Sequence, residues 1–144
     1  MIADIETKPA IILLEDNLAQ SRLLKHALHK TGIKNAVIHF QYGIDAWRFV
    51  ERYEQMVTGR EHYPQIGLIL LDLHMPGMDG KEFLKLVQDT PVISKTQKMV
   101  MTASLDQDEL DQCYDYGADY VVQKWTDLEE FRHITWSICK DWAA

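Results

Sequence analysis

Five polar residues follow short apolar runs in the sequence, and together they are the groups needed to bind a cation and an anion at one place. They are Glu15, Asp16, Asp72, Thr102 and Lys124. Carboxylates drawn within a few ångströms of one another repel unless a cation lies among them. An all-oxygen site that does not enclose its ion suits Mg²⁺, which keeps several of its waters. Lys124 and Thr102 would supply a positive charge and a hydroxyl donor for an anion on or beside Asp72.

The clearest of these runs is the aliphatic segment of residues 68–71, which leads directly into Asp72. A continuous apolar run bounded by turn residues predicts a strand buried on both faces of a parallel sheet. The segment PGMDG, residues 76–80, then predicts a loop that ends the strand and redirects the chain. Asp72 is therefore expected at the carboxyl end of a central strand, where open α/β sheets keep their binding sites.

Apolar runs alternate with segments of helical periodicity along the whole chain. Predicted strands cover residues 10–14, 36–40, 68–71, 99–101 and 120–122, and predicted helices cover residues 17–31, 43–57, 81–87, 106–116 and 127–141. Strands that alternate with helices are joined by right-handed crossovers and form a parallel sheet between layers of helices. The sequence therefore predicts a doubly wound α/β domain with all five polar residues at one edge of its sheet.

The composition restricts the class of protein. The chain has 144 residues, the length of one domain, and 22 acidic residues against 15 Lys and Arg give a net charge of −7. This balance argues against a general basic surface for nucleic acid. Two cysteines without metal-ligand spacing indicate a reducing compartment. No segment has the apolar length of a signal peptide core or a membrane span, so we expect a cytoplasmic protein that acts without nucleic acid or membrane.

Four motifs, taken in order, resemble the receiver domain of two-component response regulators. They are LLEDN at residues 13–17, LLDLHMPGMDG at 70–80, MTA at 101–103 and GADYVVQK at 117–124. The resemblance covers residues 10–141 and implies a flavodoxin-like (βα)5 fold with a five-stranded parallel sheet in the order 2-1-3-4-5. It also implies a stand-alone domain of the chemotaxis type over residues 10–144, with an extension of residues 1–9 before it and no output domain.

The resemblance further implies a phosphoacceptor and a metal site. Asp72 would accept a phosphoryl group from a sensor histidine kinase. Asp16 would bind Mg²⁺ directly, and Glu15 would act largely through a bound water. Asp72 and the backbone carbonyl of His74 would be the remaining protein ligands.

Lys124 and Thr102 are implied as the residues that hold the phosphoryl group. Lys124 would pair with Asp72 or its phosphoryl oxygens, and Thr102 would turn inward to hydrogen-bond them. Phosphoryl transfer depends on positioning and on neutralising charge on oxygen, which Mg²⁺ and Lys124 would provide. The implied function is a switch that signals or relays through a downstream or phosphotransfer protein. It is not that of an enzyme, beyond self-catalysed phosphoryl transfer and hydrolysis.

The sequence departs from the family pattern after Lys124, where receivers usually carry a proline in a cis bond and this chain has Trp125. A cis bond before another residue type costs about 2.5–4 kcal/mol, so a trans bond and a reshaped loop are expected. The switch aromatic is displaced as well, because Val121 stands three residues before the lysine and Tyr120 one residue earlier. Strand alternation points these two side chains to opposite faces, so the coupling of Thr102 to an aromatic rotamer is expected to be absent or rebuilt.

Two other functions are compatible with these residues. A degenerate receiver would bind partners without taking phosphate, which the altered switch positions allow and the complete acid set disfavours. An Mg²⁺-dependent phosphohydrolase with Asp72 as nucleophile commonly has a second acid two residues on, where this chain has His74. Neither His74 nor Ser104, two residues after Thr102, is an acid that would orient a water, so slow to moderate self-hydrolysis is expected.

Two features indicate partners. Trp125 follows the fifth predicted strand, Trp136 lies on the last predicted helix and Trp142 lies just after it. These residues could form a homodimer or partner surface or simply pack in the core and at the edge of the fold. The loop of residues 58–65 is longer than is usual in the family. It is similar to the loop of small regulators that serve bacterial phytochromes, although many such insertions are only surface loops.

Overall fold

The computed structural model of the chain describes residues 8–104, 106–124 and 128–140, and its five strands form one parallel sheet. The strands are β1 (Ala10–Leu14), β2 (Val37–Phe40), β3 (Ile66–Asp72), β4 (Gln97–Thr102) and β5 (Tyr120–Gln123). Their order across the sheet is β2-β1-β3-β4-β5. The predicted flavodoxin-like fold and its strand order are therefore confirmed.

A helix follows each strand, and three of the helices begin at a side-chain cap. The helices are α1 (Leu18–Lys30), α2 (Gly43–Val57), α3 (Gly80–Gln88), α4 (Gln107–Asp115) and α5 (Leu128–Cys139). The Oδ1 atoms of Asn17, Asp79 and Asp106 each accept a backbone N–H of the following turn at 3.0 Å, which satisfies donors that a helix start leaves unpaired. Within the described ranges, no helix is both long and apolar enough to cross a bilayer.

The predicted boundaries hold for β1, for α2, for the end of β2 and for the start of β5, and the other described boundaries move by one or two residues. β4 is longer than its apolar centre because Gln97 pairs with Leu68 of β3. Backbone hydrogen bonds extend a strand whatever the polarity of its side chains, so apolar runs predict only the middle of a strand. The predicted ends of α5, residues 127 and 141, lie outside the described residues.

The sheet is apolar on both faces. One core, shared with α2 and α3, takes from β1, β3 and β4 the side chains of Ile12, Leu14, Ile69, Leu71 and Val100. The other core, shared with α1 and α5, takes Ile11, Leu13, Leu68, Leu70 and Met99. Alternate side chains of each central strand thus enter different cores, which explains why these strands are continuous aliphatic runs in the sequence.

Gly80 begins α3 against the end of β3, where there is no room for a side chain. A Cβ atom at this position would lie 2.5 Å from the carbonyl oxygen of Asp72 and 2.9 Å from the Cα of Leu73. The Gly80 N–H also donates to the Leu73 carbonyl at 3.0 Å. Glycine is therefore required by the close approach of α3 to the backbone that carries Asp72.

Gly80→Ala is expected to lower the free energy of unfolding by about 1–3 kcal/mol, because overpacking forces the backbone at Asp72 to move. Urea unfolding measures this change. Gln88→Ala, at the exposed end of the same helix, is the matched control and should change stability by less than about 0.5 kcal/mol. Equal stability of Gly80→Ala and wild-type protein would show that the close approach is no constraint.

Candidate functional site

The carboxyl ends of β1 and β3 are adjacent and bring three carboxylates together. Leu14 pairs with Leu71, so the next residues along the two strands are Glu15 and Asp72. With Asp16, these acids offer carboxylate oxygens that all lie within 4.8 Å of one another. Glu15 is fully buried, Asp72 is nearly so, and Asp16 is half-buried. The predicted convergence of the three acids is confirmed.

Lys124 reaches these acids from the end of β5. Its backbone N–H donates to the carbonyl of Thr102 at 2.7 Å, which continues the pairing of β5 with β4. Its Nζ lies 2.9 Å from Asp72 Oδ2 and forms a second ion pair with the Glu15 carboxylate. Because the ammonium group is nearly buried, salt and water screen these interactions weakly. One cation thus partly offsets the mutual repulsion of the three carboxylates.

The negative charge of Glu15 is unfavourable because its carboxylate is fully buried. Burial raises the pKa of its carboxyl, against the opposing effects of the Lys124 ammonium and of a hydrogen bond from the Asn17 N–H. That N–H donates to Glu15 Oε2 at 3.2 Å. The charge of Asp72 raises the pKa of Glu15 further. Three carboxylates lie around the ammonium group of Lys124, which is the electrostatic condition for binding a further cation.

The two carboxylate oxygens of Asp72 have different surroundings. Oδ2 accepts a hydrogen bond from Lys124, and Oδ1 accepts the backbone N–H of His74 at 3.2 Å. Asp72 lies on an open cleft of about 340 Å³ that is lined by Asp16, Asn17, Gln20, Asp72, His74, Ala103 and Lys124. Oxygen ligands on one side and solvent on the other fit a hard divalent cation that keeps part of its water shell.

Thr102 ends β4 at the same edge of the sheet, and its side chain is fully buried. Its Oγ1 accepts the backbone N–H of Ser104 at 3.0 Å. The structure therefore places Thr102 where the sequence predicts it, with its hydroxyl oxygen bonded to the β4–α4 loop. A hydrogen bond from this hydroxyl to a phosphoryl group stays a prediction.

Val121 and Tyr120 lie on opposite faces of the sheet, as strand alternation predicts. Val121 packs against the core shared with α2 and α3, and Tyr120 packs against the core shared with α1 and α5. Trp125 lies outside the described residues, so the expected trans bond between Lys124 and Trp125 stays a prediction.

His74 has a side-chain partner that the sequence did not reveal. Its Nε2 lies 2.5 Å from Glu109 Oε1 on α4, although 35 positions separate the two residues. Lys81 on α3 approaches the other oxygen of the same carboxylate, with its Nζ 4.0 Å from Oε2. No motif or spacing links these residues, so sequence reasoning had no signal for them. Gln20 of the cleft was missed as well, although it lies three residues after Asn17 in the first turn of α1.

Comparison with known proteins identifies the family. The family model described as the response regulator receiver domain matches residues 11–135. The chain belongs to this family. Response regulator Rcp1 of Synechocystis sp. is 28% identical over 142 residues, a match that covers 98% of this chain and 94% of Rcp1. The resemblance to two-component receivers that the motifs predict is therefore confirmed.

Solved receiver structures have the same fold. A receiver domain from Rhodospirillum rubrum superposes with a TM-score of 0.72 at 32% identity, over 87% of each chain. The Mn(2+)-bound form of Rcp1 superposes with a TM-score of 0.73 at 28% identity, over 94% of each chain. The phosphorylated cyanobacterial phytochrome response regulator RcpA gives 0.72 at 26% identity, over 95% of each chain. Receiver domains bind a divalent metal at an acidic pocket, and the cluster of Glu15, Asp16 and Asp72 matches that description.

Glu15→Gln is expected to gain stability relative to wild type, in the metal-free protein, as the pH rises from acidic values to about pH 8. The folded-state pKa of Glu15 is raised, so its contribution to stability is full at low pH and is lost as the pH rises through that pKa. Glutamine carries no such proton and suffers no such loss.

Urea unfolding across a pH series, in buffer with EDTA, measures this difference. The matched control is Glu51→Gln, which makes the same substitution on the exposed face of α2. A stabilisation by Glu15→Gln that grew toward low pH would contradict the raised pKa.

Proposed function

We propose that this receiver is a phosphorylation-dependent switch in which Asp72 accepts a phosphoryl group from a phosphohistidine of a sensor kinase. A carboxylate oxygen of Asp72 would attack phosphorus as the P–N bond breaks. The products would be an acyl phosphate on Asp72 and a kinase histidine that takes up a proton. The observation that carries the proposal is the position of Asp72, nearly buried at a strand end between two further acids and Lys124.

Mg²⁺ is the cation that we propose for the acid cluster, because the donor set consists of carboxylates at an open cleft. Asp16 and Asp72 would bind the ion directly, and the carbonyl of His74 would add a third oxygen. Glu15 would act largely through a water, since its carboxylate is fully buried and already ion-paired with Lys124. When bound, Mg²⁺ would neutralise charge on the phosphoryl oxygens.

Lys124 and Thr102 are proposed to hold the phosphoryl group once it is on Asp72. The Lys124 Nζ lies 2.9 Å from Asp72 Oδ2, so the ammonium group is close enough to contact an oxygen added there. The Thr102 hydroxyl would donate the second hydrogen bond. Donors aimed in advance at a site of developing charge stabilise that charge without reorganisation of solvent.

The acyl phosphate is proposed to persist long enough to act as a signal, with slow to moderate self-hydrolysis. His74 occupies the position where phosphohydrolases carry a second acid, and its imidazole contacts Glu109 on α4. Ser104 accepts the N–H of Asp106 at 3.2 Å through its Oγ. Both observations disfavour the phosphohydrolase. The complete set of acids around Lys124 disfavours the degenerate receiver.

The proposed partners are a sensor histidine kinase and a downstream or phosphotransfer protein, contacted in the cytoplasm without nucleic acid or membrane. RcpA is named as a cyanobacterial phytochrome response regulator in its phosphorylated form. Its likeness to this chain supports phosphorylation here and favours a kinase of the phytochrome type.

A homodimer through β5 and α5 is also proposed. Trp136 is 45% exposed and Leu128 is 40% exposed on α5, and Tyr120 on the edge strand β5 is half-buried. Exposed tryptophans beside aliphatic side chains are typical of the centres of protein interfaces. Trp125 and Trp142 were also predicted to belong to this surface, but they lie outside the described residues.

Wild-type protein incubated with Mg²⁺ and acetyl phosphate is expected to gain the mass of one phosphoryl group, and Asp72→Ala is expected to gain none. The reason is that Asp72 provides the attacking oxygen. Intact-protein mass spectrometry measures the change, and omission of Mg²⁺ should abolish it.

Asp89→Ala is the matched control for this experiment, because Asp89 is exposed at the end of α3 and far along the chain from the strand end. It should be modified as fully as the wild type. An unmodified wild-type mass, or a modified Asp72→Ala, would contradict the proposal. Loss of the label from wild type within seconds would contradict the slow hydrolysis.

Trp136→Ala is expected to weaken self-association at least about tenfold, as removal of a central interface tryptophan commonly does. Sedimentation equilibrium of the phosphorylated and unphosphorylated protein measures the dissociation constant. Met56→Ala removes a comparably exposed side chain from α2, on the other side of the sheet, and should leave association unchanged. Wild-type protein that stays monomeric in both states would rule out the dimer.

A further inference from the structure

Helix α4 is weakly anchored by apolar packing. Of its nine residues only Cys113 is buried, whereas α3 has the same length and buries four. Tyr114 on α4 is 51% exposed. An element with few buried apolar contacts has low local stability. The position of α4 therefore depends strongly on the polar contacts at its start.

One set of polar contacts runs through the β4–α4 loop. The Ser104 N–H donates to Thr102 Oγ1 at 3.0 Å, and the Asp106 N–H donates to Ser104 Oγ at 3.2 Å. Asp106 in turn caps the helix through the N–H of Asp108. The start of α4 is thereby tied to the end of β4.

A second polar contact ties α4 to the loop that carries Asp72, and it passes through one residue. The backbone N–H of His74 donates to Asp72 Oδ1 at 3.2 Å, while its Nε2 lies 2.5 Å from Glu109 Oε1. The His74 side chain is 63% exposed, so the contact with Glu109 rather than packing orients the imidazole. Lys81, 4.0 Å from the same carboxylate, adds a cation on the α3 side. His74 therefore contacts both a carboxylate oxygen of Asp72 and α4.

Position 121 makes a separate link necessary. Val121 has a small β-branched side chain with restricted rotation, so it cannot swing between two positions as a large aromatic ring can. Tyr120 packs on the opposite face of the sheet, away from the core that Cys113 of α4 enters. A change at Asp72 must therefore reach α4 through a polar contact, and of the two described above the one through His74 reaches a residue of the helix itself.

We propose that the His74–Glu109 contact is this link, and that Glu109 is a positioning residue that holds α4 in the unphosphorylated state. The inference rests on the proposed phosphorylation of Asp72. A phosphoryl group on Asp72 perturbs the bond from the His74 N–H, adds acceptor oxygens that compete with Glu109 for the imidazole, and repels the Glu109 carboxylate. The contact then breaks, and the start of α4 is released. Because a partly exposed pair of this kind is weak, a modest change of charge is enough to break it.

Hydrogen–deuterium exchange of α4, in Mg²⁺ with and without beryllofluoride as the phosphoryl analogue, tests the link. In wild type, beryllofluoride should speed exchange of the α4 amides about two- to fivefold, the range set by loss of one partly exposed pair. In Glu109→Ala these amides should already exchange at the faster rate, and beryllofluoride should add little. His74→Ala should behave in the same way, and the double variant should add nothing to either single one.

Two variants separate the link from a general effect on the helix. Glu109→Gln keeps an acceptor oxygen for His74 and should lie between wild type and Glu109→Ala. Asp111→Ala removes an exposed acid from the same helix, where its Oδ1 accepts only a bond from Gln107, and should respond as wild type. Occupancy of the site by beryllofluoride is measured in each variant by ¹⁹F NMR.

The outcomes distinguish failure of the link from failure of the proposed function. If Glu109→Ala binds beryllofluoride and its α4 amides respond as in wild type, the link is overturned and phosphorylation of Asp72 is unaffected. The link would also be overturned if the effects of His74→Ala and Glu109→Ala on α4 exchange were additive in the double variant. If wild-type protein binds no beryllofluoride, both the proposed function and the proposed link are wrong.

Discussion

The mutual repulsion of three carboxylates at the ends of β1 and β3 is the constraint on which the rest of the structure depends. Glu15 is fully buried, and its carboxyl is held beside Asp72 by the register of two strands whose side chains fill both cores. Burial of an acid is unfavourable without a partner. Lys124 supplies one, through ion pairs with both residues. The rigid double-sided packing of the central strands is what keeps these charges together.

The excess of carboxylates over ammonium groups at this site makes it sensitive to added cations and anions. Among the described residues the ammonium group of Lys124 faces three acids, so a bound divalent cation would relieve their repulsion, and the proposed phosphoryl group on Asp72 would have both that cation and Lys124 beside it. The open cleft on the side of Asp16 leaves room for such ligands. A site that was neutral and closed would gain little from either. The same carboxylates therefore repel one another in the metal-free site and would favour binding of a cation.

The helices around the sheet differ in how much apolar surface they bury, and this difference is relevant to the proposed signalling. α2 and α3 bury apolar residues along their length, whereas α4 buries only Cys113 and is held at its start by the bonds of Asp106 to Ser104 and of Glu109 to His74. Apolar packing is insensitive to a new charge at Asp72, whereas hydrogen bonds to loop residues beside Asp72 are sensitive to it. An element held in this way can move when the charge at the strand end changes, while the sheet stays in place.

The sequence by itself determined the alternation of strands and helices and the meeting of Glu15, Asp16, Asp72 and Lys124 at one edge, because apolar runs and helical periodicity are local and parallel strands end on the same side. The strand order came from family resemblance and is confirmed by the pairing. Only the tertiary structure decided that Lys124 pairs with both Glu15 and Asp72, that Thr102 accepts a bond from Ser104, and that His74 meets Glu109. These contacts depend on rotamers, loop paths and helix placement, which join residues far apart in the chain and leave no periodic pattern in the sequence.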